Sequence, residues 1–496
     1  MRLYWGDLHN HCGISYGHGS LEAALRRARQ QLDFCSVTGH AFWPDMPADR
    51  CRYAEIIDYH TAGFQRLAGQ WDEVLSTFET HNAPGEFVTF PSYEWHSLAE
   101  GDQVVLLREA RGPLVSGESV AALSAALGER EHLIYPHHIG YPRGFRGINW
   151  DAFDGARSPL VEIYSMHGCS ESDEAPFPML HTMGPRDHDS TAQAGLALGH
   201  RFGFAAGTDH HSAYPGSWGD GRLAVLSDGL TRDALFEAFR ARRVYAVSGD
   251  KLEIAVTLND APFGAEIRAP GVRRLHWDLR AADFVDTVEL LKNNHVVRVW
   301  NGPLDPPAPL TDPVRARLRV EWGWGSKEEP VAWTGALRLS DGRLLNIETC
   351  FSGAPILAPT AGHVEETVLP HALIAQDDRG CAWRSSILGN PTTRHSVTQS
   401  LLLTVEMRRQ DRLEFKVNGL AGSHSLEELL AGARAHFVRG WLSEAIRLGR
   451  AVPRSCYELS GDYQDQADGA GEDFYYLRVR QRNGQCAWVS PIWAEG

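Results

Sequence analysis

The chain is short of several things, and each shortage excludes a class. Its first residues, Met1-Arg2-Leu3-Tyr4-Trp5-Gly6, lack the apolar core of a signal peptide, and no uninterrupted apolar stretch is long enough to span a bilayer. The expectation is a soluble, cytoplasmic protein with no membrane partner. Eight cysteines are scattered from Cys12 to Cys486 without a Cys-x-x-Cys pair, which suits reduced thiols and excludes a disulfide framework or a structural zinc knuckle. Basic residues are few: 48 Lys and Arg stand against 63 Asp and Glu, a formal charge of −15 that opposes binding to a phosphate backbone. Nucleic acid is therefore not an expected partner. Nothing in the composition sets an oligomeric state.

What is present is enough material for two cores. At 496 residues the chain exceeds the roughly 250 to 300 residues that one hydrophobic core organises. Histidine is unevenly spread, with 16 of the 23 at or before His211. Any metal or acid–base chemistry belongs to the first half.

The pattern begins with the apolar run Leu3-Tyr4-Trp5 leading into Asp7-Leu8-His9-Asn10-His11. In an extended chain residues two apart point the same way, so His9 and His11 offer both imidazoles to one ion. Ser20 can cap a helix carrying Leu21, Ala24, Leu25, Ala28 and Leu32 at helical spacing, and Phe34-Cys35-Ser36-Val37 then runs to Thr38-Gly39-His40. Residues 41–85 read as mostly helical after a Trp43-Pro44 break. Further short strands end at Glu94, at His137-His138, at Glu162-Ile163-Tyr164 and at Asp209-His210-His211. Short apolar strands alternating with helices predict a parallel barrel or doubly wound sheet, with ligands bound at the carboxyl ends of the strands. Metal-type residues recur at that position.

Near Ser248-Gly249-Asp250 the texture changes, giving two expected domains, 1–250 and 251–496. The second reads as a β-rich sandwich with a helical excursion near 425–448, where Ser425 and Glu428 form a capping box ahead of Leu426, Leu429, Leu430, Phe437, Trp441 and Leu442. Pro303, Pro306, Pro307 and Pro309 mark a long loop, and Asn483-Gly484 a hairpin turn.

Taken in order, Gly6-Asp7-Leu8-His9-Asn10-His11, Leu32 to His40, the Glu94 strand end, Pro136-His137-His138 and Thr208-Asp209-His210-His211 resemble the polymerase and histidinol phosphatase (PHP) superfamily. The segment 207–216 and the terminal run from Tyr475-Tyr476-Leu477 to Pro491-Ile492-Trp493 look more closely like a PHP-like group of unknown function with a C-terminal β-rich extension. The resemblance implies a distorted (β/α)₇ barrel with two or three divalent ions (Zn, Mn or Fe). His9, His11, Glu94 and Asp209 would hold one ion, with Glu94 bridging to a second that also uses His137. His18, His40 and His211 would hold a third. Gly39 stands where the family carries an acid, and Glu100-Gly101-Asp102-Gln103-Val104 lacks the further His that the family carries past Glu94, for which Asp102 or His96 could substitute.

Paired divalent ions lower the pKa of a bound water and stabilise charge on a phosphoryl or carbonyl oxygen. The expectation is therefore a metal-dependent hydrolase using a metal-bound hydroxide, foremost a phosphoesterase acting on a small-molecule substrate. Hydrolysis of an amide, lactone or ester is the nearest alternative. A non-catalytic metal-containing protein that binds a glycan or partner is the alternative of another class. His210, His167 and His18 are candidates to protonate the leaving group, Arg143 and Arg146 to clamp a substrate anion, and Glu162 to orient a histidine.

Overall fold

The structure, a computed structural model, describes the whole chain except residues 304, 307–309, 326–329, 355–370, 388–397, 468 and 470, so Pro307 and Pro309 lie outside the described residues. The fold is mixed α/β and rich in strands. In chain order the first half contains β1 (Arg2–Asp7), α1 (Leu21–Ala28), β2 (Phe34–Ser36), β3 (Gly39–Phe42), α2 (Arg50–Gly69), α3 (Trp71–His81), β4 (Val88–Phe90), β5 (Ser92–Trp95), β6 (Gln103–Leu107), α4 (Val120–Leu127) and β7 (His132–Pro136). There follow β8 (Leu160–Ser165), β9 (Gly168–Cys169), α5 (Ala192–Ala197), β10 (Gly203–Ala206), β11 (Arg222–Ser227), α6 (Arg232–Arg240) and β12 (Val244–Val247).

Local chemistry explains where the helices start. The Ser20 hydroxyl accepts from the Ala23 amide at the head of α1, whose Leu21, Ala24, Leu25 and Ala28 are buried, and Ser119, Thr191 and Thr231 cap α4, α5 and α6 in the same way.

Hydrogen bonding divides the strands of the first half among three sheets. One runs β4-β2-β1-β11-β12, the second β3-β5-β6-β7, and the third β10-β8-β9. The parallel pairings expected from the alternating pattern are β1–β2, β2–β4, β3–β5 and β8–β10. The pairs β1–β11, β11–β12, β5–β6 and β6–β7 are instead antiparallel. Residues 96–102, between β5 and β6, are too few for a parallel crossover, which needs about a dozen residues, so these two strands turn back on each other.

The first sheet does not stop at residue 250. β12 pairs antiparallel with Cys486–Val489, Ala246 lying opposite Trp488, and the sheet continues through Glu472–Gln481 to Ile492–Glu495. Trp5, Ala224, Tyr245 and Val247 share a buried core with Leu252, Trp277, Val288, Leu477 and Val489. A separate core lies between two antiparallel sheets built from residues 314–448, where Trp322 and Trp383 pack with ring centroids 4.8 Å apart. The Asn483-Gly484 turn forms as expected, with Gly484 at φ 85° joining two antiparallel strands. The helical excursion is shorter than its apolar pattern suggests. The Ser425–Glu428 capping box is made, but the helix covers Leu426–Ala431 and ends at Gly432, after which Arg434–Phe437 pairs with Ala445–Leu448 as a hairpin. Trp441 and Leu442, at its turn, are exposed.

Candidate metal centre

The chain ends of five strands deliver the polar groups. His9 and His11 follow β1, His40 lies in β3, Glu94 in β5, His137 and His138 follow β7, and Asp209 to His211 follow β10. Gly207 is what lets β10 approach β1 here: a Cβ on it would fall 2.6 Å from Cβ of His9 and 2.7 Å from Oε2 of Glu162. Asp209 takes a left-handed backbone, φ 52°, unusual for a residue other than glycine and frequent at functional sites. Asp7 pins the floor, its carboxylate accepting from the Thr208 hydroxyl (2.6 Å) and the Gly216 amide (2.9 Å).

Two ring tautomers are set from behind. Nδ1 of His9 donates to Glu162 Oε2 at 2.9 Å, and Nδ1 of His11 donates to the Thr38 carbonyl. Each ring is then left with its Nε2 lone pair facing the centre. Those lone pairs lie 3.3 Å apart, with Asp209 Oδ1 at 3.0 Å from His11 and 3.5 Å from His9, and Glu94 Oε2 at 3.2 Å and 3.7 Å. Four acceptors facing one another at this spacing repel unless a positive charge lies among them. The edge of a tetrahedron around an ion with ~2.1 Å bonds is roughly 3.4 Å, so the donor set fits a divalent metal.

Electrostatics agree. Burial opposes charging His9, yet Glu162 and Asp209 overcome it and raise its pKa well above the usual value, so the centre draws a proton where no metal supplies charge. Burial likewise opposes ionising Glu94 and Asp209. The rings of His40, His96 and His137 hold Glu94, and those of His9 and His167 hold Asp209, well below the carboxylate range. His40, His137 and His211 are kept neutral by burial and by neighbouring rings, the form that ligates a metal. Glu94 Oε2, both nitrogens of His137 and Nε2 of His40 are buried without a hydrogen-bond partner, and such atoms cost free energy unless something satisfies them.

Around this centre the ligand-type atoms fall into overlapping groups: His9, His11 and Glu94; His9, His137 and Asp209; His11, His40 and His211; His40, Glu94 and His96; and Glu94, Asp102, His137 and His138. His137 and His138 divide between carboxylates, His137 Nε2 lying 3.2 Å from Glu94 Oε1 and His138 Nε2 3.3 Å from Asp102 Oδ2. His96 and Asp102 both reach the site. Gly39 packs against Leu67 and Ile14, 2.8 Å and 3.2 Å from where its Cβ would be, so an acid there would meet apolar side chains rather than a ligand.

The remaining candidates separate. Nε2 of His167 sits 3.0 Å from Asp209 Oδ2 while its Nδ1 meets the Tyr141 hydroxyl at 2.6 Å. His210 turns away from the ligands toward Gly353, whose Cβ would fall 2.4 Å from the ring, and burial lowers its pKa to about 4. His18 joins the site through its backbone, its amide donating to the His211 carbonyl at 2.9 Å, and its ring is in none of the ligand groups among the described residues. Arg143 is exposed and paired with Asp151 at 2.7 Å, away from the centre. Arg146 reaches it, bonded to Asp102 and to His96. Sequence reasoning missed Tyr141 and also Tyr16, which stacks on His40 at 3.6 Å between ring centroids. Neither stands in a motif, and only their place in loops near His11 and His138 hints at a role.

No family model matches the chain. Uncharacterized proteins of Chlamydia muridarum and Chlamydia trachomatis are each 24% identical to it over 326 and 327 residues, 60% of this chain and 49% of theirs. The chain thus spans about half the length of the curated relatives it matches. A shorter match, 28% identical over 171 residues, is to an uncharacterized protein of Chlamydia pneumoniae and covers 31% of this chain and 27% of that one. Among solved structures, a two-domain protein from Bacteroides vulgatus containing a predicted PHP-like metal-dependent phosphoesterase aligns over 86% of this chain and 95% of its own, at 9% identity and a TM-score of 0.32.

Proposed function

We propose that the chain is a metal-dependent hydrolase of small-molecule phosphoesters. The observation that carries the metal is the set of buried acceptors turned on one another, the Nε2 atoms of His9 and His11 with carboxylate oxygens of Glu94 and Asp209. His9, His11, Glu94 and Asp209 would hold one ion, Glu94 and His137 a second beside it, and His11, His40 and His211 supply a further group of donors. When bound, such ions activate water and stabilise charge on the attacked group. Preference for a phosphoester rests on the ordered motifs shared with the PHP superfamily.

The chain's own residues set the rest. Glu162 fixes the His9 ring by accepting from its Nδ1. The His167 imidazole, between the Tyr141 hydroxyl and Asp209, is placed to hand a proton to a departing group. No ligand residue is more than 6% exposed, and Tyr16, Trp43, Tyr59 and His60 form an aromatic wall on one side, with His60 5.0 Å from both Tyr16 and Trp43. Such a closed centre suits a small phosphate-bearing group better than a polymer.

The test is elemental analysis of the purified chain together with a screen of phosphate esters, amides and lactones in Mn²⁺, Zn²⁺ or Fe²⁺. Bound transition metal and metal-stimulated release of phosphate are expected. A chain that binds metal but opens an amide or lactone would replace the substrate class, and one that takes up no metal would overturn the reading.

A further inference from the structure

In the group formed by Glu94, Asp102, His137 and His138, the chain brings its own cation to a carboxylate. Asp102 is fully buried between β5 and β6, where a carboxylate without a counter-charge is costly. The Arg146 guanidinium is bonded to it, and the same side chain donates from Nη2 to His96 Nδ1 at 2.6 Å. Its Nη1 faces Sδ of Met183 at 3.2 Å, and its plane lies over Trp43, 5.1 Å from the ring centroid. The backbone is arranged for this placement: Arg146 has φ 70°, in a loop flanked by Gly144 and Gly147. On Gly147 a Cβ would overlap the Tyr141 carbonyl oxygen at 1.6 Å, so the loop closes tightly and directs the arginine inward.

Asp102 has further company. Its Oδ2 lies 3.2 Å from His96 Nδ1 and 3.3 Å from His138 Nε2, and its Oδ1 accepts from the Ser97 amide at 3.1 Å. A carboxylate, two imidazoles and the nearby Glu94 make a donor set for a divalent ion, of the same types as the groups around His9 and His11. The difference is the guanidinium on Asp102. By contrast, Nε2 of His9 and of His11 faces Glu94 and Asp209, and Nδ1 of His40 faces Glu94.

We propose that the Arg146 guanidinium stands in for a metal ion at Asp102, so that the chain fills one cation position of its centre with a side chain and limits its complement of ions to the positions around His9, His11, Glu94 and Asp209, between Glu94 and His137, and around His11, His40 and His211. This rests on the reading of the centre as a metal site. The planar guanidinium neutralises Asp102 and cannot be lost to chelators or exchanged between metals. Removing it while keeping Asp102 opens a vacant site lined by Asp102, His138, His96 and Glu94.

The experiment is metal content per chain by elemental analysis, after equilibration of the full-length protein with excess Mn²⁺ or Zn²⁺ and desalting, with circular dichroism to confirm folding. Arg146→Met is expected to hold one ion more per chain than wild type, Arg146→Lys the same number as wild type, and Arg146→Met/Asp102→Asn to lose the gain. Asp102→Asn alone is expected to keep the wild-type content, because Asp102 holds no ion while Arg146 is present. Folded Arg146→Met with wild-type content, or Asp102→Asn lacking an ion that wild type holds, would overturn the proposal. Should Arg146→Met fail to fold, Asp102→Asn decides it alone. A wild-type chain with no ion whose Arg146→Met variant gains one would sink the functional reading and leave this inference standing. Equal content in the two, with metal present, sinks this inference and leaves the function.

Discussion

Both halves of the molecule bury charge, and they treat it differently. Among the described residues of the C-terminal half, buried charges meet their opposites: Arg273 is bonded to Asp473, Glu444 to Arg439, and Asp250 to Arg319 with support from Trp218, Gln481 and Asn483. In the N-terminal half the ligand carboxylates and imidazoles meet one another, and Arg146 at Asp102 is the guanidinium bonded within the cluster. A satisfied buried pair is structure. A cluster of acceptors with orphaned atoms has the make-up of a ligand-binding site, since folding alone would select against its desolvation cost.

The sharpest way to break this contrast is to remove acceptors from one side of it. His9→Ala/His11→Ala should lower metal affinity by more than ~100-fold, beyond the cost of losing a supporting residue, and abolish hydrolysis. Wild type at 100 times its dissociation constant should gain about 2.7 kcal/mol from added metal, and the double variant none of it. Thermal denaturation with and without Mn²⁺ measures both.

The C-terminal side predicts the reverse, a loss of stability with little effect on metal. Asp250→Ala leaves the largely enclosed Arg319 without its carboxylate and should cost about 3 kcal/mol in urea unfolding, with metal content per chain unchanged. A variant that unfolds normally but loses metal would show that the two regions are not separable in this way.

These two predictions also mark what could be read from the chain. The ligands at strand ends are legible because each is fixed by a few neighbouring residues: Ser20 caps, apolar strand, then histidine. Asp102 and His96 are legible merely as substitutes, because what selects them is the pairing of β5 with β6, and Arg146 arrives from a separate loop with a left-handed backbone. The pairing of β12 with Cys486–Val489 joins residues far apart in sequence, and nothing local in Val244-Tyr245-Ala246-Val247 names that partner. Periodicity misleads at 434–442, where apolar residues at helical spacing end up in a hairpin and its exposed turn, since Gly432 stops the helix.

A smaller effect is expected where a residue acts through a ligand. Glu162 is at the border of the two treatments, being paired with His9 through one oxygen while Oε1 has no partner. Glu162→Gln should weaken metal binding about 10–100-fold. It also has a pH signature. Burial, only partly countered by His9, raises the Glu162 pKa from 4.5 to about 7. A carboxyl raised on folding binds its proton more tightly in the native state, so its contribution is fully present below pH 4.5 and is lost as the pH rises toward 7. In metal-free protein the stability of wild type relative to Glu162→Gln should therefore fall across that window, and a flat difference in denaturation midpoints would show that Glu162 does not titrate there.

The smallest effect tests whether the neutral partners of the centre matter to chemistry at all. Tyr141→Phe removes one hydrogen bond, the 2.6 Å contact to His167 Nδ1, and leaves every ligand in place. Such a bond is worth about 1 kcal/mol, or roughly fivefold in rate if it is made in the transition state. Because His167 loses its fixed orientation and not its Asp209 contact, kcat should fall by that factor, while KM and metal content stay at wild-type values. A loss of metal in Tyr141→Phe would instead place His167 among the ligands of Asp209's ion, and an unchanged kcat would remove it from the proton-transfer step.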